Sequence, residues 1–182
     1  MDHTYIRKVC SGDTQAYRYF LTQYKDMAFS LAVSVVKDEF IAEEIVQDAF
    51  MKAFRAMNSF NFQSKFSTWF YRIVTNEALM RLKKMKREIV VFTAEYTEDS
   101  LDEDVLSALQ EDEHHHLVNA ALNMLAPKES LVLRLFYLEE ESIKTVCEIT
   151  GWSASNTKVL LHRARKSMLS AVNHLLNQAK VS

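Results

Sequence analysis

At 182 residues the chain is long enough for one domain or two small ones, and its 48% apolar residues are sufficient for a packed core. Only two glycines and one proline occur, which argues against an all-β fold because such folds need many turn residues. The net charge of −2 excludes a protein that coats nucleic acid by charge alone, so we expect any DNA contact to be local or to depend on a partner.

The charge is distributed unevenly along the chain. Residues 1–93 hold 14 Lys and Arg against 10 Asp and Glu, and residues 114–182 hold eight basic residues against five acidic ones. Residues 94–113, between them, hold nine acidic residues and no basic one. We interpret this acidic stretch as part of a linker that is flexible or only partly helical, and its charge would repel DNA.

Cysteine usage and hydropathy predict a cytoplasmic protein without membrane insertion. Cys10 and Cys147 lie far apart in sequence, so they indicate no disulfide framework and fit buried or incidental thiols in a reducing cytosol. Residues 1–9 are polar and charged, unlike a signal peptide, and no apolar run approaches the ~20 residues that a membrane-spanning helix needs.

Apolar residues recur at helical spacing through the first half of the chain. Gly12 and Asp13 are start signals for the first helix, which is either continuous or slightly broken. The predicted helices cover residues 13–37, 38–57 and 66–85. The outward face of the second is polar but contains Met51; it is either an ordinary solvated face or a docking face for a helix of another protein.

Residues 58–65 break the helical periodicity and predict a loop that contains two aromatic residues, Phe60 and Phe62. Such rings can stack on unpaired bases, or they can fold back onto the core, which the residues alone favour. The third helix ends with five cations within residues 81–87, which either complement the helix dipole or follow a phosphate backbone. We expect residues 89–92 to form a short extended piece.

The second half predicts helices over residues 117–125 and 128–137, followed by two helices joined by a tight turn within residues 142–168. Gly151 is a natural helix stop and Ser153 a plausible N-cap. Apolar and small residues on one face of the last helix are Thr157, Leu161, Ala164, Met168 and Leu175. Its other face carries Ser155, Lys158, Val159, His162, Arg163 and Lys166. This pattern is typical of a helix-turn-helix that meets DNA phosphates, although a plain helical hairpin with a solvated basic face would share it.

The sequence contains no motif that is typical of catalysis, phosphate binding or metal binding. We find no Gly-rich phosphate-binding loop, no Cys/His set with ligand spacing and no nucleophile constellation. We therefore predict a protein that is not an enzyme, with no catalytic residues, no metal site and no cofactor.

Two blocks resemble the extracytoplasmic-function (ECF) sigma factors of bacterial RNA polymerase. Residues 42–84, with AEEIVQDAFMKAF and FSTWFYRIVTNEALMRLKK, are similar to the family's domain two. Residues 121–168, which end in the His-Arg-Ala-Arg run, are similar to its domain four. The resemblance implies an all-α fold of two small helical domains, a sigma domain 2 bundle and a sigma domain 4 helix-turn-helix, joined by an acidic linker. The expected boundaries are 1–87, 88–113 and 114–178.

The resemblance also implies roles for individual residues. Helix 38–57 would bind core RNA polymerase through Glu44, Gln47, Asp48, Lys52 and Arg55. The loop and third helix would hold the melted downstream promoter element through Asn61, Phe62, Gln63, Ser64, Lys65, Arg72, Asn76, Lys83 and Lys84. The helix-turn-helix would contact the upstream element of promoter DNA as duplex through the outer-face residues named above. Family behaviour adds an anti-sigma factor as an expected partner.

The sequence departs from the family pattern at both DNA-contacting segments. Thr157 and Leu160 stand where many members carry Val and Arg, and Phe62 and Gln63 stand where Gly or Asp is common. These differences leave the fold intact but leave the promoter sequence open. The alternative is an operator-binding helix-turn-helix regulator with a helical sensor or dimerisation domain, which explains neither the aromatic loop nor Asn76.

Overall fold

The computed structural model describes residues 1–92 and 113–179, and every regular element within these two ranges is helical. The α-helices are α1 (Asp2–Cys10), α2 (Arg18–Val36), α3 (Glu39–Ala56), α4 (Phe66–Phe92), α5 (Glu113–Met124), α6 (Pro127–Leu133), α7 (Ile143–Thr150) and α8 (Ala154–Ala179). Short 3-10 turns cover Thr14–Tyr17 and Met57–Ser59, and a π-helical segment covers Arg134–Leu138. The prediction of an all-α fold is confirmed.

Side chains that can cap a helix decide where several helices begin. The Asp38 carboxylate accepts a hydrogen bond from the Ile41 backbone N–H at 2.8 Å, which satisfies one of the unpaired donors at the start of α3. Asp13 caps the first 3-10 turn in the same way, from the Ala16 N–H at 3.2 Å. Asp13, a start signal in the sequence, is therefore a real cap, and so is Asp38, the first residue of the second predicted helix.

The helix boundaries differ from the prediction at two places. Helix α1 was not predicted, and the first 3-10 turn separates it from α2. The expected extended piece over residues 89–92 is wrong, because α4 continues to Phe92. The β-branched residues of this run favour strands, but extending an existing helix adds one hydrogen bond per residue, whereas a strand needs a partner strand. Residues 93–112, which make up most of the predicted acidic linker, lie outside the described ranges.

An aromatic cluster forms the core of the N-terminal half. Phe20, Phe66 and Phe70 are fully buried. The ring centroid of Phe20 lies 4.4 Å from that of Phe66, and the Phe50 centroid lies 4.5 Å from that of Phe70, so rings from α2, α3 and α4 meet in one place. This cluster fixes α3 and α4, which carry predicted polymerase and downstream-element residues, against α2.

The two halves of the chain touch in this structure. Helix α7 packs against α4, and α6 packs against α2. At the same boundary the Lys37 ammonium donates a hydrogen bond to the Leu122 backbone carbonyl at 2.6 Å. The division into separate domains at 87 and 114 therefore stays a prediction.

The burial of Lys37 leads us to expect an unusual pH dependence of the free energy of unfolding. Burial, and secondarily the charge of Arg134, lower its pKa from 10.5 to about 8. Between pH 8 and 10 the unfolded chain therefore binds more protons at this residue than the folded chain, so the free energy of unfolding should rise with pH. Above pH 10 tyrosine ionisation opposes this gain, because burial raises the pKa of Tyr24 and Tyr71 in the fold.

The test is urea unfolding at pH 7.5, 8.5 and 9.5 for the wild type and for Lys37→Met. We expect the stability of the wild type to rise across this series and that of Lys37→Met to rise less. Parallel pH profiles for the two proteins would contradict the assignment to Lys37.

Candidate nucleic-acid interface

The turn between α7 and α8 has the geometry of a helix-turn-helix. Gly151 ends α7 with φ +73°, a left-handed backbone conformation that residues other than glycine adopt only at a cost in free energy. The Ser153 hydroxyl accepts a hydrogen bond from the Asn156 N–H at 3.3 Å and so caps α8. Buried residues on both helices, Ile149 and Leu161 among them, hold α8 against α7. The second helix is therefore held in a fixed orientation by a small core.

The outer face of α8 is open, as predicted. The six residues assigned to DNA contact are all exposed: Ser155, Lys158, Val159, His162, Arg163 and Lys166. Thr157, Leu161 and Ala164 are buried on the opposite side. The apolar face thus serves the core, and the cationic face is left for a ligand.

Arg165 lies at the edge of this cationic face and is already engaged by another side chain. Its Nε donates a hydrogen bond to the Tyr137 hydroxyl at 2.6 Å, and its guanidinium lies 5.5 Å from the centre of the Tyr137 ring. The same two residues border an apolar groove of about 380 Å³ between α5, α6 and α8. The sequence did not reveal this pairing, because Tyr137 lies in the π-helical segment.

The loop between α3 and α4 turns one aromatic ring inward and one outward. Phe60 is 5% exposed and packs on Trp69, with ring centroids 5.3 Å apart, whereas Phe62 is 42% exposed. Phe62 also has φ +59°, a conformation that is uncommon for a bulky residue. The Asn61 side chain supports the turn by accepting a hydrogen bond from the Gln63 N–H at 3.2 Å. The expectation that both rings fold back onto the core is therefore wrong for Phe62.

Helix α4 continues the polar surface that begins in this loop. The loop residues Asn61, Gln63 and Lys65 are exposed, and Ser64 is partly exposed. The four α4 residues predicted for the melted strand are all exposed: Arg72, Asn76, Lys83 and Lys84. Thr75, next to Asn76 on the same helix, is fully buried.

The outward face of α3 is partly tied to α4. A Glu44 carboxylate oxygen lies 2.9 Å from an Arg81 nitrogen, and the Lys52 ammonium lies 2.6 Å from a Glu77 oxygen. Gln47, Asp48 and Arg55, which complete the predicted polymerase-binding set, are exposed. Solvent-exposed ion pairs contribute little to stability, so a partner could replace the Glu44–Arg81 pair at low cost, whereas Glu77 in the second pair is largely buried.

Helix α1 adds a surface that the sequence did not predict. Its buried face consists of Ile6 and Val9 alone, too few apolar residues to give a clear periodic signal. The exposed face contains Arg7 and Lys8, and the neighbouring His3 ring contacts Phe62, with centroids 4.8 Å apart. The helix thus adjoins the loop that carries the outward aromatic ring.

Two further properties concern the described residues only. Across residues 1–92 and 113–179, no helix combines the length and apolarity that crossing a membrane requires. No group of three or more His, Cys, Asp or Glu side chains in these ranges is placed to hold a metal ion. Cys10 and Cys147 are both free thiols, and Cys10 is exposed.

Comparison with protein families gives two matches in the same order as the two halves. The model of sigma-70 region 2 matches residues 20–88, and the model of sigma-70 region 4 matches residues 115–168. Together these segments cover more than half of the 182 residues.

Similar proteins of about the same length carry the same family name. The chain is 28% identical over 182 residues to the ECF RNA polymerase sigma factor SigW of Bacillus subtilis, covering 93% of this chain and 96% of that protein. It is 28% identical over 187 residues to the RNA polymerase sigma-H factor of Pseudomonas aeruginosa, covering 98% and 97%. Over a shorter segment of 77 residues, 42% of this chain and 40% of the other, it is 36% identical to the ECF sigma-E factor of Escherichia coli K12.

Solved structures share the fold. The sigma factor RpoE of Bartonella quintana, solved with the anti-sigma factor NepR, has a TM-score of 0.68 at 22% identity and covers 88% of this chain and 98% of its own. CnrH, solved with the cytosolic domain of CnrY, has a TM-score of 0.66 at 19% identity and covers 95% and 97%. At these identities the likeness supports the fold alone.

Proposed function

Because this chain belongs to the extracytoplasmic-function sigma factor family, we propose that its two helical halves divide the recognition of one promoter between them. It is an RNA polymerase sigma factor of this type, and its task is promoter recognition, promoter melting and transcription initiation. The observation that carries the proposal is the presence of both sigma regions, in order, on one chain that spans nearly the full length of its relatives. We assign residues 1–87 and 114–178 to the two domains and 88–113 to their linker.

The helix-turn-helix half contacts the upstream promoter element as duplex. The support is the open cationic face of α8, on which Lys158 and Arg163 are five residues apart and both exposed. An α-helix fits the major groove, where Arg and Lys can hydrogen-bond to base edges as well as to phosphates. Lys166, further along the helix, is suited to the phosphate backbone.

The loop and α4 hold the melted strand of the downstream element. Taking a base out of the stack costs a few kcal/mol, and stacking on an exposed ring can return about 1–3 kcal/mol per base. Phe62 offers such a ring, and Asn76 offers an amide that can both donate and accept hydrogen bonds to a base edge. The exposed cations of α4, Arg72 and Lys83 among them, are suited to the adjoining phosphates.

The outer face of α3 binds core polymerase. Gln47, Asp48 and Arg55 are available on that face, and Met51 is 52% exposed among them, which suits an adaptable contact with a partner helix. On binding, Glu44 and Lys52 would exchange their ion pairs with α4 for contacts with the polymerase.

The remaining assignments follow from the family. Chemistry belongs to the polymerase, and we assign this chain no catalytic residue and no cofactor. It acts in the cytoplasm on promoter DNA. The anti-sigma factor NepR in the solved RpoE complex supports an anti-sigma partner for this chain as well.

A binding experiment separates this function from that of an operator-binding regulator. The full-length chain is mixed with core polymerase and with duplex promoter DNA, separately and together, and complexes are resolved by size. We expect a stable complex with core polymerase and tight DNA binding only when polymerase is present. Tight binding of duplex by the chain alone, without association with polymerase, would favour the regulator.

Asn76→Ala is expected to impair promoter opening more than promoter binding, because the amide acts on a base only after the strands separate. Transcription is measured on a closed template and on one that is already unpaired across the downstream element. The loss should be large on the closed template and small on the pre-melted one. Equal losses on the two templates would contradict a role in melting.

A further inference from the structure

Helix α1 is fixed beside the downstream-element loop by specific contacts. The Asp2 carboxylate accepts hydrogen bonds from the Tyr19 hydroxyl at 2.8 Å and the Tyr24 hydroxyl at 2.6 Å. The Tyr5 ring stacks on Tyr19 with centroids 4.0 Å apart, and Ile6 is buried beneath. These contacts hold a nine-residue helix that would be marginal on its own.

The outward side of α1 borders an open groove of about 470 Å³. The residues that line it are His3, Thr4, Arg7, Lys8 and Ser11. All are exposed, and their spacing puts them on one face of the helix. From His3 to Ser11 the face is about 12 Å long at 1.5 Å per residue, which suits a short stretch of an extended ligand.

The groove carries positive charge that the protein does not neutralise. In the described part of the chain neither Arg7 nor Lys8 forms an ion pair with a carboxylate; the Lys8 ammonium lies 5.5 Å from the Tyr5 ring centre. The nearest acidic residues in sequence have other roles, since Asp2 binds two tyrosines and Asp13 caps the first 3-10 turn. The Ser11 hydroxyl already donates to the Lys8 carbonyl at 2.8 Å. The two cations, with the exposed Thr4 hydroxyl beside them, are groups that commonly bind a phosphodiester backbone.

The groove continues into the surface already assigned to the melted strand. The His3 ring touches the exposed ring of Phe62, and α1 packs against the 3-10 turn that precedes the loop. A single strand with one base on Phe62 would therefore bring its neighbouring phosphates towards Arg7 and Lys8. The matched sigma region begins at residue 20, so α1 lies outside it.

We propose that the outward face of α1 binds the sugar–phosphate backbone of the single strand that adjoins the nucleotides held by the loop. The contact rests on the proposed function, and it adds affinity without base specificity, because Arg7 and Lys8 would meet phosphates. It lengthens the single-stranded site of the N-terminal half beyond the loop and α4.

The test uses holoenzyme, reconstituted from core polymerase and the full-length chain, and three fluorescent fork templates built from a start region that this holoenzyme transcribes. One template ends its single strand within the downstream element, one is extended on the 5′ side and one on the 3′ side. We expect one extension to increase the affinity of the wild type. Arg7→Glu should remove that gain, a loss on the order of fivefold, and leave binding to the unextended template unchanged.

The matched control is Lys25→Glu, which makes the same charge change at an exposed position of α2. It should behave as the wild type on all three templates. The salt dependence of binding gives a second readout. Losing one phosphate contact with a single strand makes the negative slope of log K against log salt shallower by about 0.7. Arg7→Gln, which does not reverse the charge, should make the slope shallower in the same way.

Two outcomes would overturn the inference while leaving the proposed function intact: neither extension adds affinity, or Arg7→Glu weakens binding to all three templates equally. The second outcome would point to a contact with polymerase. A wild-type chain that gives core polymerase no affinity for even the unextended template would contradict the proposed function itself, and with it this inference.

Discussion

Replacing Phe70 with alanine is expected to lower the free energy of unfolding of the N-terminal half by about 3–5 kcal/mol. Phe70 is fully buried, and its ring contacts those of Phe50, Phe66 and Tyr24 from three different helices. Truncation leaves a cavity that these large, interlocked rings cannot fill by small movements. Since a typical domain is stable by only about 5–15 kcal/mol, this variant should be close to unfolded at 37 °C.

The matched control is Phe40→Ala, because Phe40 is 72% exposed in the first turn of α3. The same atoms are removed there, and we expect a change within about 0.5 kcal/mol. The chain has two tryptophans, Trp69 and Trp152. Urea unfolding followed by fluorescence in a Trp152→Phe background therefore reports on the N-terminal half alone. Similar losses for both variants would contradict the position of Phe70 in the core.

Arg163→Ala is expected to weaken binding of holoenzyme to the upstream promoter element by about 1–3 kcal/mol if the side chain contacts a base edge, or roughly 5- to 150-fold. Arg163 is exposed on the outer face of α8, where a helix in the major groove presents its side chains to base edges. On a promoter in which the contacted base pair is changed, the difference in affinity between the wild type and Arg163→Ala should be smaller, because the wild type then also lacks those hydrogen bonds.

Arg165→Ala is the control for this variant, since it removes the same charge from the same helix. Arg165 is exposed two turns after Lys158, but its guanidinium is engaged by Tyr137. Its replacement should leave the affinity for the upstream element within about twofold of the wild type. An equal loss for both arginines would show that net charge, and not a placed contact, determines binding.

Local signals predicted the parts of this fold that local interactions determine. Asp38, Ser153 and Gly151 act through groups within four residues of themselves, and the structure has each of them at the helix end that the sequence predicted. The two faces of α8 follow from helical periodicity in the same way. These features need no knowledge of the rest of the chain.

Long-range contacts determine the features that were missed. Helix α1 depends on hydrogen bonds from Tyr19 and Tyr24 to Asp2, which lies 17 and 22 residues away. The environment of Arg165 depends on Tyr137, 28 residues earlier and within a π-helical segment that periodicity does not predict. Periodicity on one helix cannot show which neighbour will meet a given side chain.

The loop shows the same limit at the level of one residue. Phe60 and Phe62 have the same side chain in a similar sequence context, yet one is buried and the other is half-exposed. Phe62 has a positive φ, and nothing in the sequence marks Phe62 for that conformation. The family resemblance assigns Phe62 to the melted strand, but that its ring points outward and that of Phe60 inward could be seen only in the structure.

Transcription by purified core polymerase, with and without the full-length chain, tests the central claim most directly. Genomic DNA from the host serves as the template, and the 5′ ends of the transcripts are mapped. We predict a set of start sites that appear only when the chain is present and that share one upstream and one downstream element. Identical start sites and identical yields with and without the chain would contradict its assignment as a sigma factor.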